Sequence, residues 1–590
     1  MIDNIDFKEK TFAYGNIFDS TRNTSHATLR MVFQFLLPKP LRLIINDDDD
    51  NNNDDDDDDD SNKILFGKSE FTNNLLSNYE KIFNELLQIS KDWDTADLYN
   101  HRIIKEIQIG CQKIPPPNVV ILKPGKNPNY DSNVHDACNM YFQDVGISNS
   151  NYLDIACDEA IFRRLISYHE NNSTARLFLG QWHTSKDMCS ALITIFSGYG
   201  IFDFAAKLGV RYLDKLEKVV DYSATFRVLE LIWVAVGIAI IQYLKNKNMT
   251  MKDIEYYEDN DNKKIIKVWY YYFCWTGYLI GHKIGIRKGN YDMQFKNLAA
   301  FSPLFPVAGK SNYARSITYF LSYINEDLAL QKLLQHVCSV NITQPGHFLG
   351  FDEALERFGV KFVKQNIGGN YMDPEELSAQ ISSVQAERDR LTMLLSEYVG
   401  DDISIRGERA IKSRKECLWN LANDLITAFN SEDPLTHRLF KNAKEMNKEG
   451  FDRLFNCYNI GIERLNTILY QDVYKIEPRN VKGHRARDII LYKTQNLKIT
   501  VEKSNKEKAK SKNNNDNNNN NDEGESSITE KRVYRKTGEN EKKILEKILT
   551  FNIFPEYLVN DILQELQNES ADWDLARVKK YWSNNRKKSK

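Results

Sequence analysis

The chain has 590 residues, of which 42% are hydrophobic and 12% aromatic, and its formal net charge is −3. This length and composition can supply apolar cores for several domains, which excludes a mostly disordered protein. The eight cysteines are widely spaced and form no C-x-x-C pair, which argues against zinc fingers and a secreted disulfide framework and favours a reducing compartment.

The N-terminal region contains no predicted targeting segment. The first ten residues lack the apolar core of a signal peptide.

The longest apolar run, Leu231 to Ile241, is shorter than the ~20 residues that span a bilayer, so we expect a buried helix and no membrane partner. The acidic stretch 46–62 has no apolar surface and repels itself, which predicts a disordered insertion in a surface loop.

Short strands alternate with helices in the first part of the chain. Residues 118–123, 151–159 and 175–183 have strand-like apolar patterns, and the last two run directly into helical sequence. From 207 to 335 the pattern is almost entirely helical. The aromatic stretch 268–281 predicts a packed core rather than a platform for stacking nucleic-acid bases, because its apolar neighbours need packing partners.

Acidic residues stand where strands are predicted to end. Asp158 and Glu159 end the second strand, the position at which α/β architectures place metal ligands or catalytic groups. The alternative for each is a solvated side chain or a helix N-cap, and for Asp352 we expect capping. His183 ends the third strand, where it would act as a metal ligand, a proton shuttle or a hydrogen-bonded structural residue.

A long amphipathic helix is predicted over 374–398, where Pro374 follows Asp373 and Leu377, Ile381, Val384, Leu391 and Leu394 share one side. It would pair with a second copy, giving a homodimer, or dock within its own chain. Residues 401–500 predict a further helical extension. Residues 501–530 form an Asn-rich linker that cannot pack, so 531–590 is expected to be a separate module.

Residues 1–400 resemble a derived transposase-like domain of unknown function that is abundant in fungi and also found in animals. The stretches that carry the resemblance are Asp3 to Phe7, "RNTSHAT" (22–28), "ACDEAIF" (156–162), "LGQWHTSKDM" (179–188), Asn312 to Arg315 and "GHFLGFDEALERFGVKFVKQNI" (346–367). The resemblance implies an α/β RNase H-like core with a large helical insertion before its final helix. The Asn312 to Arg315 motif would anchor that insertion or contact DNA phosphate.

The same resemblance implies a catalytic site of three carboxylates, at Asp3, Asp158, and Glu353 or Glu356. Asp3, Asp158 and Glu353 would bind two Mg²⁺ ions about 4 Å apart that clamp the attacking and leaving oxygens of a phosphodiester. Asp3 lies two residues after the initiator methionine, so its strand has nothing upstream to form with. We therefore expect a truncated sequence or a degenerate site.

The last sixty residues, 531–590, carry 14 Lys and Arg against 9 Asp and Glu, a net charge of +5, whereas the rest of the chain sums to −8. This concentration of positive charge is the pattern expected of a polyanion-binding module. Apolar residues at helical spacing predict three helices. The first contains Leu545 and Ile548, the second follows Pro555, and the third begins near Asp572 or Asp574 and is basic.

This segment resembles a homeodomain. Leu545, Glu546, Leu549, Asn552 and Phe554-Pro555 follow the first-helix pattern of the family, and Val578-x-x-Tyr581-Trp582-x-Asn584-x-Arg586 follows its last helix, with about four extra residues before that helix. The resemblance implies that Asn584 contacts adenine and that Arg586 and Lys588 hold phosphates or bases, beside Lys580 and Lys587. Arg532, Arg535 and Lys536 would form an arm in the minor groove.

Taken together, the sequence predicts a nuclear protein that binds double-stranded DNA and derives from a transposase. It combines an α/β RNase H-like core, whose activity is expected to be lost, with a separate all-α three-helix homeodomain-like module. DNA binding needs no cofactor, whereas an intact catalytic site would need Mg²⁺. The alternatives are an active metal-dependent DDE-type transposase or nuclease, and a protein-interaction scaffold.

Overall fold

The protein is described by a computed structural model over residues 1–8, 24–37, 65–87, 114–147, 151–255, 261–341, 348–360, 408–476, 539–549, 558–569, 573 and 575–585. The chain divides into two compact units, Met1–Ser504 and Asn505–Lys590. The described part is mostly helical with two sheets, which agrees with the expected fold rich in helical insertion. The predicted acidic loop 46–62 and the Asn-rich linker 501–530 lie outside the described residues.

A five-stranded mixed sheet organises the first unit, in the order β3-β2-β1-β4-β5. β1 pairs antiparallel with β2 and parallel with β4, and β3 pairs antiparallel with β2, so β2 alone runs against the others. β4 and β5 are short and mostly apolar, as central and buried strands are. The bounds of the five strands are Ile2–Lys8 (β1), Thr24–Gln34 (β2), Asn118–Gly125 (β3), Leu153–Cys157 (β4) and Ala175–Leu179 (β5).

Sixteen α-helices are assigned in the described part of this unit, and a two-stranded sheet pairs β6 (Val340–Asn341) with β7 (Phe348–Leu349). The helices are α1 (Glu70–Leu86), α2 (Asp131–Val145), α3 (Glu159–Asn171), α4 (Gln181–Phe196), α5 (Ile201–Lys207), α6 (Leu213–Glu217), α7 (Tyr222–Lys247), α8 (Met251–Glu255), α9 (Asp261–Lys288), α10 (Tyr291–Phe301), α11 (Leu304–Val307), α12 (Ser311–Glu326), α13 (Leu328–His336), α14 (Phe351–Ala354), α15 (Glu408–Phe429) and α16 (Lys448–Ile468). Short 3-10 turns occupy Ser197–Tyr199, Pro434–Thr436 and Arg438–Phe440, and π-helical turns occupy Leu355–Val360 and Leu469–Val473.

The predicted strands form, but two of them end earlier than expected. β4 stops at Cys157, and β5 stops at Leu179 rather than at His183, because α4 already begins at Gln181. The expectation that His183 ends a strand is therefore wrong. Gly180 closes the strand by donating its N–H to the carbonyl of Cys157 at 2.7 Å.

Helices α7 and α9 form the centre of the helical region, and the aromatic stretch 268–281 is packed core, as predicted. Trp233 stacks on Phe273 with ring centroids 5.3 Å apart, and its indole N–H donates to the Phe273 carbonyl at 2.9 Å. Gly237 permits this packing, since a Cβ there would lie 2.8 Å from the ring of Phe83 on α1. These contacts fix α1, α7 and α9 against one another.

Helix α7 is long and apolar enough to cross a membrane by length and composition. A bent pair, Gln181–Tyr199 with Ile201–Lys207, passes the same test as one broken span. In α7, 78% of the apolar window is buried inside the protein, against α1, α4, α9 and α15. The predicted buried helix at Leu231 to Ile241 is therefore confirmed as part of the core.

The described residues of the helical extension predicted over 401–500 belong to the first unit and pack on its helical region. Lys207 on α5 pairs with Asp424 on α15 at 2.8 Å, and the hydroxyl of Tyr458 on α16 donates to the carbonyl of Ala300 at 2.5 Å. Arg315 on α12 pairs with Asp472 at 3.1 Å. Arg315 of the Asn312 to Arg315 motif thus anchors the helical region to this extension.

The second unit contains three described helices, α17 (Glu539–Leu549), α18 (Val559–Glu569) and α19 (Leu575–Asn585). Their number agrees with the sequence prediction. Apolar residues at helical spacing form a separate core, comprising Leu545, Ile548, Ile562, Leu566, Trp573, Val578 and Trp582. This core lets the module fold on its own contacts.

Candidate functional sites

Two of the predicted catalytic residues belong to neighbouring strands or their ends: Asp3 lies within β1, and Asp158 directly follows β4. Ile2 on β1 is the parallel partner of Cys157 on β4. Asp3 and Asp158 are the next residues, so their backbones lie side by side where β4 ends. The side chain of Asp3 lies outside the described part of the chain. The register therefore brings two of the three predicted positions together at the level of the backbone.

Asp158 begins α3 as its N-cap. Its Oδ1 accepts the backbone N–H of Ile161 at 2.8 Å, which satisfies one of the unpaired donors of the first turn. The next residue, Glu159, is buried and accepts a hydrogen bond from the hydroxyl of Ser316 on α12 at 2.9 Å. Both acidic residues thus have structural partners, which corresponds to the capping alternative for Asp158.

Glu353 is buried between two arginines. Its Oε1 lies 3.0 Å from Arg287 on α9 and 2.6 Å from Arg357. A buried carboxylate needs such compensation, because leaving it unpaired costs several kcal/mol. The same oxygen is then occupied by positive groups that compete with a metal ion. Glu356 is half-buried in the π-helical turn that follows α14.

Of the two carboxylates on α14, Asp352 is the one that lies against Gly180, directly after β5. It is 1% exposed and accepts the backbone N–H groups of Trp182 and His183 at 2.9 and 2.8 Å. The ring Nδ1 of His183 lies 3.1 Å from Asp352 Oδ2. Since an ionised carboxylate only accepts hydrogen bonds, Nδ1 of His183 carries the proton. Asp352 does cap a helix, as expected, but that helix is α4.

The position of Asp352 is fixed by close contact with the end of the strands. A Cβ at Gly180 would lie 2.5 Å from Asp352 Oδ2 and 2.9 Å from the carbonyl oxygen of Cys157. The backbone N–H of Phe351 also donates to Gln181 Oε1 at 2.8 Å. α14 is therefore held over the end of β4 by the first turn of α4.

Burial alone raises the pKa of Asp352, but the hydrogen bond and positive charge of His183, with the two backbone amides, outweigh it. The net pKa lies below the ordinary value of 3.8. Asp352 is thus an ionised group that stabilises the junction of α4, α14 and β4. The sequence predicts a capping role for Asp352 but does not reveal His183 as its partner. The available signal of close packing is a glycine shortly before each residue, Gly350 before Asp352 and Gly180 before His183.

A metal site is not formed by the side chains that the structure describes. Within those residues, no group of three or more His, Cys, Asp or Glu is arranged to hold an ion. Because the Asp3 side chain is not among them, the predicted Mg²⁺ site of Asp3, Asp158 and Glu353 stays a prediction.

In the second unit, Trp573 joins all three helices. Its indole N–H donates to Glu541 Oε1 at 3.1 Å, and its carbonyl accepts Gln567 Nε2 at 2.9 Å. Arg577 on α19 lies 4.1 Å from the centroid of its ring. Trp573 thus sets the approach of α19 to α17 and α18. The buried partner Glu541 was not predicted from the sequence.

The predicted DNA contacts lie on α19, after its end, and in the stretch before α17. Lys580 and Asn584 belong to that helix, although their side chains are not described. At about 100° per residue, position 584 lies roughly 200° from the buried Trp582, on the opposite face of the helix. The remaining predicted contacts lie outside the described residues: Arg532, Arg535, Lys536, Arg586, Lys587 and Lys588.

Comparison with known proteins gives no match to a protein-family model, to a curated protein or to a solved structure.

Proposed function

We propose that the protein is a nuclear DNA-binding protein derived from a transposase, in which a homeodomain-like module reads double-stranded DNA and an RNase H-like domain has lost catalysis. The strand order carries the proposal for the large domain. The strand order β3-β2-β1-β4-β5, with β2 alone antiparallel to the others, supports the proposal because RNase H-like sheets have the same order. Helices α4 to α13, between β5 and α14, correspond to the expected insertion.

Loss of catalysis is supported by the partners of the acidic residues. Two-metal phosphodiester cleavage needs carboxylate oxygens that are open to the ions. Glu353 binds two arginines, Asp158 caps α3, and Asp352 caps α4 and contacts His183. Each of these carboxylates thus has at least one oxygen engaged in a structural contact.

DNA binding by the second unit is supported by its three-helix core and its charge. Residues 531–590 carry a net charge of +5, and the chain continues from α19 into Arg586, Lys587 and Lys588. A helix of this kind, supported by two others, suits the major groove. No cofactor is needed for such contacts, and the same basic residues favour nuclear import.

Anisotropy of a labelled duplex tests the DNA-binding proposal. The full chain should bind with an affinity that falls steeply with salt, since each phosphate contact contributes about −0.9 to the slope of log K against log salt. A chain that ends at residue 530 should lose on the order of 10²-fold in affinity while keeping its unfolding midpoint in urea. Equal affinity of the two chains would contradict the proposal. Nuclear retention of a fluorescent fusion, lost with the same truncation, tests the location.

The rival function, an active metal-dependent transposase or nuclease, is favoured by one observation. Asp352 Oδ2 and the Cys157 carbonyl oxygen lie 2.5 and 2.9 Å from the position that a Cβ would take at Gly180, so a carboxylate other than Glu353 stands close to the end of β4, which Asp158 follows. Incubation of labelled duplex with the full chain in Mg²⁺ or Mn²⁺ separates the two proposals. We expect no cleavage. Cleavage that Asp158→Ala abolishes would establish the rival.

A further inference from the structure

His282 on α9 has one ring nitrogen without a hydrogen-bond partner among the described residues. The residue is 2% exposed, and its Nδ1 lies 3.0 Å from the carbonyl oxygen of Gln294 on α10. Its Nε2 is buried, and no atom that the structure describes bonds to it. Burial lowers the pKa of His282 to about 4, so the ring is neutral at pH 7 and carries one proton.

The contact with Gln294 decides where that proton lies. A carbonyl oxygen only accepts hydrogen bonds, so Nδ1 of His282 carries the proton and donates it. Nε2 is then an acceptor with a free lone pair in the interior of the first unit. Native structures pair nearly all buried polar atoms, because an unpaired one is destabilising. Nε2 of His282 therefore needs a donor.

A small cavity beside His282 has the size of one water molecule. Its volume is about 10 Å³, and a site for one water needs roughly 10–15 Å³. All nine residues that line it are buried, so the cavity lies inside the protein. Apolar residues of β5, α10 and α12 form part of its wall. The polar part consists of Gln181, Thr184, His282 and Gln294.

The other polar walls offer acceptors rather than donors. The hydroxyl of Thr184 donates its proton to the carbonyl of Gly180 at 2.7 Å, and its oxygen can still accept. Each side-chain amide of Gln181 and Gln294 already makes two or more hydrogen bonds within the protein. The donor for His282 Nε2 must therefore come from a molecule in the cavity.

We propose that this cavity binds one structural water molecule, which donates one hydrogen bond to His282 Nε2 and the other to Thr184 Oγ1. The water extends a network that runs from the backbone N–H of Phe351 to Gln181 and on to Gln294. It thus links α4, α9 and α10 behind the contact of α4 with α14. This water site is independent of DNA binding and of catalysis.

A crystal structure of the full chain, at a resolution that shows ordered water, tests the site. We expect one peak of density in the cavity, about 2.7–3.2 Å from His282 Nε2. A cavity without density would overturn the proposal. A protein donor on Nε2, such as a rotated Thr184 hydroxyl, would overturn it as well.

Nuclear magnetic resonance of the full chain, with ¹⁵N-labelled histidine, tests the same site in solution. The signal of His282 is the one missing from His282→Gln, and it should show a neutral ring protonated on Nδ1. Thr184→Val removes the second partner of the water and should move the Nε2 resonance to higher chemical shift, towards that of a free acceptor.

Thr194→Val is the matched control, because Thr194 lies on the same helix and its hydroxyl donates to the carbonyl of Ser190 at 2.8 Å in the same way. Thr194 does not line the cavity, so the Nε2 resonance of His282 should stay unchanged. A ring protonated on Nε2 would overturn the proposal. Equal shifts in Thr184→Val and Thr194→Val would overturn the assignment of Thr184 as the second partner.

Discussion

Replacing Asp352 tests whether one buried carboxylate fixes α14 to α4. Asp352→Ala removes an acceptor that receives two backbone N–H groups and the ring of His183, at 2.8 to 3.1 Å. Each hydrogen bond to a charged partner is worth about 1.5–3 kcal/mol, but Trp182 and His183 are half-buried and water replaces part of the loss. We expect a decrease of about 3–5 kcal/mol in the free energy of unfolding. Asp352→Asn, which keeps an acceptor oxygen and loses the charge, should cost about 1–3 kcal/mol.

Urea unfolding of the full chain, followed by tryptophan fluorescence, measures these losses. Glu356→Ala, in the following turn, is the matched control and should change stability by less than about 0.5 kcal/mol. Because the pKa of folded Asp352 is lowered, its stabilisation is present above the ordinary value of 3.8 and is lost as pH falls through the folded pKa. On acidification, the advantage of wild type over Asp352→Asn should therefore shrink once the pH falls below the ordinary value of 3.8. A cost for Asp352→Ala no larger than that of Glu356→Ala would refute the reasoning.

Two further substitutions test the packing, one in each unit. Trp573→Phe removes the indole donor to Glu541 and should lower the free energy of unfolding of residues 528–590 by about 1–3 kcal/mol, measured by thermal unfolding. Glu546→Ala, on the exposed face of α17, is the control and should have little effect. Equal effects of the two substitutions would contradict the role of Trp573. Gly180→Ala should destabilise the first unit by about 1–3 kcal/mol, because its Cβ would lie 2.5 Å from Asp352 Oδ2. Gly146→Ala is the control: its Cβ would meet no atom within 4 Å, and it should cost about 1–2 kcal/mol through the positive φ of this position alone. In an Asp352→Asn background, the cost of Gly146→Ala should be unchanged, whereas the cost of Gly180→Ala should change.

Local pattern was enough to predict many elements. The apolar runs at 118–123, 151–159 and 175–183 each became a strand, and the spacing of Leu545, Ile548 and Val578 predicted the helices of the second unit. These features depend on periods of two and 3.6 residues, which a sequence displays directly.

The boundaries and the site needed contacts between distant residues. The end of β5 was misplaced because the first turn of α4 is capped by Asp352, which lies far along the chain from His183. The pairing of Glu353 with Arg287 joins two helices whose approach depends on the whole insertion. A single sequence shows neither the strand order nor these pairs, since packing decides them.

Selection of binding sites from a random duplex library tests the central proposal most directly. The full chain should recover a short motif containing adenine, and Asn584→Ala should flatten that preference at a cost of about 1–3 kcal/mol on the selected site. Lys588→Ala is the charge control and should weaken all sequences alike while reducing the salt slope by about 1. Recovery of no motif by the full chain, or an unchanged motif with Asn584→Ala, would contradict the reading of DNA by this helix.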